Sequence, residues 1–295
     1  MKISYYPGCT LKTKAKNLED SALAAMAVLD VEMEEIKRWN CCGVVYSLAD
    51  DDLIHYVAPV RNLIRVLEQG GDKMVTLCSM CYNTLARANL LMRNDEEKRR
   101  TINLFMDEEP DYNGEVEVLH LLTILRDHVG WDTIREKVRV PLNGMKIAPY
   151  YGCTLVRPPE VAIDEPGRPL ILGELVKALG AEVVNFPNAT TCCGSYQIIA
   201  HSEVGLNLAG RILQSAIDSG AEAIILSCPL CEFNLAKKQK ELLAQKKLSK
   251  EIPVFYFTQL LAIALGVEEE SCRFNLNDIA SVHYLQSKNL LTVAT

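Results

Sequence analysis

Ten of the chain's eleven cysteines fall into two sets of five that obey one spacing rule. No other feature constrains the fold as much. The first set is Cys9, Cys41, Cys42, Cys78 and Cys81, and the second is Cys153, Cys192, Cys193, Cys228 and Cys231. Each reads Cys, a gap, Cys-Cys-Gly, a gap, Cys-x-x-Cys. The gaps are 31 and 35 residues in the first set, 38 and 34 in the second. Neighbouring residues repeat with them. Gly8-Cys9-Thr10-Leu11 is answered by Gly152-Cys153-Thr154-Leu155, and at an offset of 150 Arg61 meets Arg211, Leu63 meets Leu213, Gly70 meets Gly220 and Leu85 meets Leu235. A fixed period of this kind is the mark of a duplicated unit. The division is expected at Asn143-Gly144, a turn dipeptide after Pro141, giving domains 1–143 and 144–295.

Each copy alternates β-prone runs with helical patterns. Strands are predicted at 2–6, 33–36, 74–77 and 116–119, then at 146–150, 182–186, 223–226 and 253–257. Helical patterns cover 20–29, 59–68 and 206–217. The second shows Val60, Leu63, Ile64 and Leu67 on one face before Gly70-Gly71, and the third stops at Gly220. Alternating strands and helices argue for an α/β fold: tandem βαβ, Rossmann-like cysteine-rich domains with parallel sheets. The cysteines then sit in loops at strand ends, where open parallel sheets place ligands.

Composition narrows the chemistry. The 295 residues are 49% hydrophobic and 23% charged, an ordinary globular balance. A net charge of −7 argues against a nucleic-acid binder led by phosphate contacts. The opening MKISYYPGCT has no long apolar region, and the best apolar stretch, 254–267, is interrupted by Tyr256, Thr258 and Gln259. Neither a signal peptide nor a membrane span is therefore expected, and the protein is placed in the cytoplasm, with no membrane partner. In that reducing compartment eleven cysteines read as metal ligands or redox groups rather than a disulfide framework.

Five thiols per set exceed what one zinc ion or one ordinary [4Fe–4S] cube takes. Adjacent cysteines diverge in an extended strand, so Cys41-Cys42 and Cys192-Cys193 suit two different irons of one cluster better than one ion. Gly43 and Gly194 supply the tight turn such an arrangement needs. A multi-iron cluster is the inference. A structural zinc and a dithiol redox pair at Cys78/Cys81 or Cys228/Cys231 stand as alternatives. Cys272 has no place in the pattern and reads as an inert thiol.

Two complete copies of this motif, spanning nearly the whole chain, resemble the cysteine-rich, or CCG, domain family. Within it the size, the opening YYPGCTLK and the lack of a fused C-x2-C-x2-C-x3-C-P run most resemble the B-type subunit of soluble heterodisulfide reductase. The resemblance implies two noncubane [4Fe–4S] clusters, one held by each set of five cysteines. It implies reduction of the mixed disulfide of coenzymes M and B to two thiols. It also implies two partners in the same complex, a ferredoxin-type iron–sulfur subunit and a flavin-containing subunit. An electron-transfer subunit of a glycolate- or lactate-type dehydrogenase, or of a thiol:fumarate reductase complex, is the alternative. A zinc-stabilised scaffold is a third.

Other side chains are candidates of lower rank. Lys12, Lys14, Lys16, Arg157 and Arg168 follow the first cysteine of each set and are candidates to line an anionic substrate's site. Tyr5, Tyr6, Tyr150, Tyr151 and Trp39 are candidates to pack around the clusters. His55 and His201 are candidate proton donors, and His120 reads as structural. The charge runs 95–100 and 239–250 read as solvated surface. The apolar stretches 257–265 and 277–291 are candidates for docking, with burial in the core the default for the first.

Overall fold

The computed structural model describes residues 1–44 and 53–291. Among these residues the strands form two four-stranded sheets in which every neighbouring pair is parallel. The first contains β1 (Lys2–Tyr6), β2 (Glu32–Glu35), β3 (Lys73–Thr76) and β4 (Glu117–His120), in the order β2-β1-β3-β4. The second contains β5 (Lys146–Pro149), β6 (Glu182–Val183), β7 (Ala223–Leu226) and β8 (Val254–Tyr256), in the order β6-β5-β7-β8. The α/β architecture with parallel sheets read from the sequence is the one observed, one sheet per cysteine set. Central β7 is buried along its whole length, as a strand covered by helices on both faces must be.

The helices are α1 (Lys16–Val28), α2 (Ile54–Glu68), α3 (Ser79–Asn94), α4 (Glu96–Phe105), α5 (Leu121–Ile124), α6 (Trp131–Lys137), α7 (Ile171–Ala178), α8 (Ser202–Asp218), α9 (Pro229–Leu235), α10 (Gln239–Ala244), α11 (Phe257–Ala264), α12 (Glu269–Cys272) and α13 (Ile279–Ser287). Two elements depart from expectation. Helix α2 begins at Ile54, so Pro59 lies inside it instead of opening it. A proline there removes one donor, and the buried face of Val57, Val60, Leu63 and Ile64 keeps the helix on its sheet. Strand β6 has two residues where the sequence predicts five. Val184 still donates to the Ile147 carbonyl, but Phe186 precedes Pro187 and the chain turns away toward Cys192.

The two copies are interlocked rather than juxtaposed. Helix α11, which follows the last strand of the second sheet, packs lengthwise on α1 of the first copy. The mirror contact joins α6, which follows the first sheet, to α7 of the second copy. Polar links, buried between α1 and α11 and part-buried between α6 and α7, stitch these contacts. Ser21 donates to Thr258 Oγ1 (2.7 Å), Thr258 donates to the Leu18 carbonyl (3.1 Å), and Trp131 Nε1 donates to Glu174 (3.0 Å). The stretch 257–265 is therefore core of the assembled chain: every residue of α11 is buried. In the tail, α13 leaves Ile279 exposed. The charge run 95–100 starts with Asp95 accepting from the Lys98 amide, the N-cap of α4.

Candidate metal centre

In both sheets the strand order reverses between the first and third strands, the switch point at which open parallel sheets leave a crevice at their carboxyl ends. The cysteines straddle it. Cys9 follows β1 and Cys78 follows β3; Cys153 follows β5 and Cys228 follows β7. The Cys-Cys-Gly turns arrive from the loops after β2 and β6. Cys78 is the N-cap of α3 and Cys81 lies in its first turn; Cys228 and Cys231 occupy the same places on α9. Three residues apart on a helix, the two thiols share one face at the end where the macrodipole favours negative sulfur.

Each member of an adjacent pair meets a different thiol of its own set, and Cys41 and Cys42 also act on each other. Cys41 Sγ lies 3.7 Å from Cys9 Sγ, while Cys42 Sγ lies 3.6 Å from Cys81 Sγ. In the second set Cys192 pairs with Cys153, while Cys193 Sγ lies 3.3 Å from Cys231 Sγ. Gly43 and Gly194 hold positive φ, 74° and 78°, and the Gly194 amide donates to Cys192 Sγ (3.3 Å). A side chain at Gly194 would sit 2.8 Å from Gly205 Cα, so α8 presses directly on the turn. Cys78 and Cys228 face each other across the two copies closely enough that each shifts the other's thiol. Cys42, Cys78, Cys81, Cys193, Cys228 and Cys231 are buried, whereas Cys9 and Cys41 are exposed and Cys153 and Cys192 half-exposed. All eleven thiols are free of disulfides.

The crowding polarises the thiols. Cys42 is held well below the usual thiol range by the S–H groups of Cys41 and Cys81. Cys228 is lowered likewise by Cys231 and Cys78, and Cys192 falls to about 6 through Cys153 and the amides of Gly194 and Ser195. Their partners Cys41, Cys78, Cys81, Cys153 and Cys231 are pushed up in return. So many sulfurs cannot all ionise side by side unless positive charge is added among them. Among the described residues no three His, Cys, Asp or Glu side chains converge to hold one metal ion. The thiols instead meet in pairs spread over a wider floor. An all-sulfur donor set of this extent, needing cationic charge, fits an iron–sulfur group.

The tyrosines divide. The Tyr6 hydroxyl donates to the Asn40 carbonyl (2.9 Å) and that of Tyr150 to the Thr191 carbonyl (2.6 Å), so each pins the residue before a Cys-Cys pair. Trp39 packs edge-on against Tyr6, 5.9 Å between centroids. Tyr5 turns instead to Glu19, and Tyr151 accepts from the Gly173 amide. The predicted cationic lining is mostly spoken for. Lys12 and Lys16 both pair with buried Glu19 at 2.6 and 2.9 Å, and Lys12 also reaches Glu35 at 2.6 Å. A buried carboxylate requires such partners, so these lysines brace the Cys9 loop. Arg157 donates to the Thr190 carbonyl (2.8 Å), Arg168 lines a separate cavity of about 810 Å³ beside Tyr151 and Phe186, and Lys14 is exposed. His55 lies in the first turn of α2 and His201 at the exposed start of α8, so the two are not equivalent. His120 is wholly buried, with Nε2 3.0 Å from the Leu77 carbonyl and Nδ1 accepting from the Leu122 amide. Cys272 is buried, and burial raises its thiol to about 12.

Several residues that position the site carry no signal in the cysteine pattern. In the second copy α7 begins 18 residues after Cys153, whereas α1 begins 7 after Cys9. The extra segment, with Pro158, Pro159, Pro166 and Pro169, straps across α3. Asn83 donates to the carbonyls of Thr154 (2.9 Å) and Arg157 (2.7 Å), and the Tyr82 hydroxyl to that of Val161 (2.9 Å). Tyr196, just past the second Cys-Cys-Gly turn, places its hydroxyl 3.6 Å from Met80 Sδ of the first copy. The uneven gap and its prolines are the clue to the strap that the sequence offers.

The family described as CCG, a cysteine-rich domain, matches residues 3–86 and 147–236, one match per thiol set. The chain belongs to the CCG family. Over 94% of its length it is 31% identical to the 8-methylmenaquinol:fumarate reductase membrane anchor subunit of Wolinella succinogenes, covering 97% of that protein. It is 27% identical to the B subunit of the ferredoxin/F420H2-dependent CoB–CoM heterodisulfide reductase of Methanosarcina acetivorans, over 96% of each chain. A protein of Archaeoglobus profundus, named as like the heterodisulfide reductase B subunit, is 25% identical over 92% of each. The first two of these relatives are thus named as subunits of reductases. A hypothetical protein from Helicobacter pylori shares the fold, with a TM-score of 0.74 at 12% identity, over 94% of this chain and 51% of that one. Among the described residues no helix is long and apolar enough to cross a membrane.

Proposed function

We propose that the chain is the disulfide-reducing subunit of a cytoplasmic CoB–CoM heterodisulfide reductase complex, with one noncubane [4Fe–4S] cluster in each of two CCG domains, 1–143 and 144–295. The observation that carries this reading is the pair of five-cysteine sets, each at the switch point of its own parallel sheet, with Cys78 and Cys228 facing each other across the copies. Breaking a disulfide consumes two electrons and two protons and releases two thiols. Iron–sulfur groups supply one electron at a time, so two of them beside one substrate match that demand. Cys9, Cys41, Cys42, Cys78 and Cys81 would hold one cluster, and Cys153, Cys192, Cys193, Cys228 and Cys231 the other. The protein's part is positional. The helix starts of α3 and α9 set the Cys-x-x-Cys pairs, Tyr6 and Tyr150 fix the Cys-Cys turns, and the buried floor keeps water from the inner sulfurs. The chain holds no flavin or ferredoxin motif, so the electrons enter from partners, a ferredoxin-type iron–sulfur subunit supplied in turn by a flavin-containing one.

Anaerobic purification should give about eight irons per chain, and dye-driven reduction of CoM-S-S-CoB should follow. Two zincs without iron, or iron without that activity, would count against the reading. The 31% identity to a fumarate reductase subunit favours a second reading, an electron-transfer subunit within a fumarate-reducing complex. Iron-loaded protein that leaves the disulfide intact but passes electrons from a menaquinol analogue to a fumarate-reducing partner would favour it.

A further inference from the structure

We propose that Tyr196 touches the substrate, its hydroxyl donating a hydrogen bond to a sulfur atom held between the two thiol floors. The inference rests on the disulfide-reducing reading and adds the protein group that meets the sulfur. Tyr196 rises from a tight turn: the amides of Gln197 and Ile198 both bond to the Gly194 carbonyl, at 2.9 and 3.1 Å. The close contact of Gly194 with α8 fixes the base of that turn. The half-buried ring crosses from the second copy to the first, where its hydroxyl meets Met80 Sδ, inside the Cys78-x-x-Cys81 segment. Cys153, Cys228 and Cys192 on one side and Cys42 on the other all act on it electrostatically.

What separates Tyr196 from its neighbours is the partner of its hydroxyl. Those of Tyr6, Tyr150 and Tyr82 are committed to backbone carbonyls that shape the site. Both nitrogens of His120 are engaged in the core. Tyr196 instead rests on a thioether, a weak acceptor, which an incoming sulfur can replace at little cost. The ligand class is an organic disulfide. Two electrons from the iron–sulfur partner cleave the S–S bond and leave two thiolates, which take two protons from water. Tyr196 keeps its own proton and stabilises the nearer thiolate, a charge-assisted bond stronger than the one made to the neutral disulfide.

The test compares the wild type with Tyr196→Phe, both purified anaerobically with their iron. Iron content and visible spectrum should match. In the dye-driven assay kcat per iron should fall roughly 10- to 100-fold with KM changed less than about threefold, since a hydrogen bond to a developing charge is lost. Calorimetry with a non-reducible analogue, carrying –S–CH2– in place of –S–S–, should show affinity within a few-fold of wild type. That measurement shows the variant's site is intact whatever its rate. Equal kcat in the two proteins, or a loss fully accounted for by weaker analogue binding, overturns the inference. A wild type that reduces no disulfide overturns the functional reading as well, and the two failures are told apart by that control.

Discussion

Asn83 ties the strap over the second thiol set to α3 at the end next to Cys153, while Tyr82 holds it at Val161. Asn83 is buried on α3, and its amide supplies both donors to the carbonyls of Thr154 and Arg157, the segment immediately after Cys153. Asn83→Ala removes one buried and one part-buried hydrogen bond, worth about 1 kcal/mol each, and leaves two carbonyls short of a partner. With part of that penalty relieved by water, the closed strap should lose roughly 2–4 kcal/mol relative to its open form. At 1.4 kcal/mol per factor of ten, amide exchange across 154–163 should quicken roughly 30- to 1,000-fold. The assay is hydrogen exchange read by mass spectrometry on the whole chain. Exchange in β1 and α1 should stay as in the wild type, because those elements do not touch Asn83. A second readout is alkylation of the chain prepared without iron: Cys153 should react faster, Cys9 at its former rate. Unchanged exchange in 154–163 in a stably folded variant would refute the claim that Asn83 closes the strap. Equal acceleration at Cys9 and Cys153 would refute its locality.

Three further outcomes are expected. Thr258→Val removes the donor to the Leu18 carbonyl and the acceptor for Ser21 where α11 meets α1, and should cost about 1–3 kcal/mol in chemical denaturation; an unchanged midpoint would argue against the interlock as a source of stability. Burial lowers His120 from 6.5 to about 4, so the unfolded chain takes up its proton first as pH falls. Stability should therefore drop by about 3 kcal/mol between pH 6.5 and 4 on its account, and His120→Gln should flatten that part of the pH–stability curve; a curve of unchanged slope would count against it. Cys193→Ala should lose about half the bound iron, leaving the first set loaded; full iron by elemental analysis would mean that Cys193 is not a ligand.

The fold is legible because cysteine spacing and hydrophobic pattern agree. Thiols that must gather at a crevice locate strand ends, and the runs before Cys9, Cys78, Cys153 and Cys228 are β1, β3, β5 and β7 within a residue or so. That Cys41 and Cys42 meet different partners, Cys9 and Cys81, is legible for the same reason, since neighbouring side chains lean to different sides. Long-range polar pairing is not. Lys12 after Cys9 looks like a free cation in sequence, yet it answers a carboxylate at Glu19 whose burial depends on tertiary packing. Pro59 looks like a helix start because local rules place proline there, and a buried face overrides the local preference. The packing of helices between copies leaves no local trace, because α11 reads as an apolar core helix whatever it packs against.

That packing bears on the chemistry. Two copies merely strung together would hold their crevices apart. Here α11 packs on α1 and α6 meets α7, and Cys78 and Cys228, at the starts of α3 and α9, face each other closely enough to shift one another's thiols. The duplication thus yields one composite floor instead of two separate sites. The strap then breaks its symmetry. Among the described residues the first set is bordered by the short loop from Cys9 to α1 and exposes Cys9 and Cys41, while the strap runs beside Cys153 and leaves it half-exposed. Among the described residues the first set is the more open of the two, and Tyr196 leans across from the second copy toward Met80. Equal thiol sets with unequal surroundings are what a two-electron step on an unsymmetrical disulfide would use, since its two sulfurs leave as chemically different thiols.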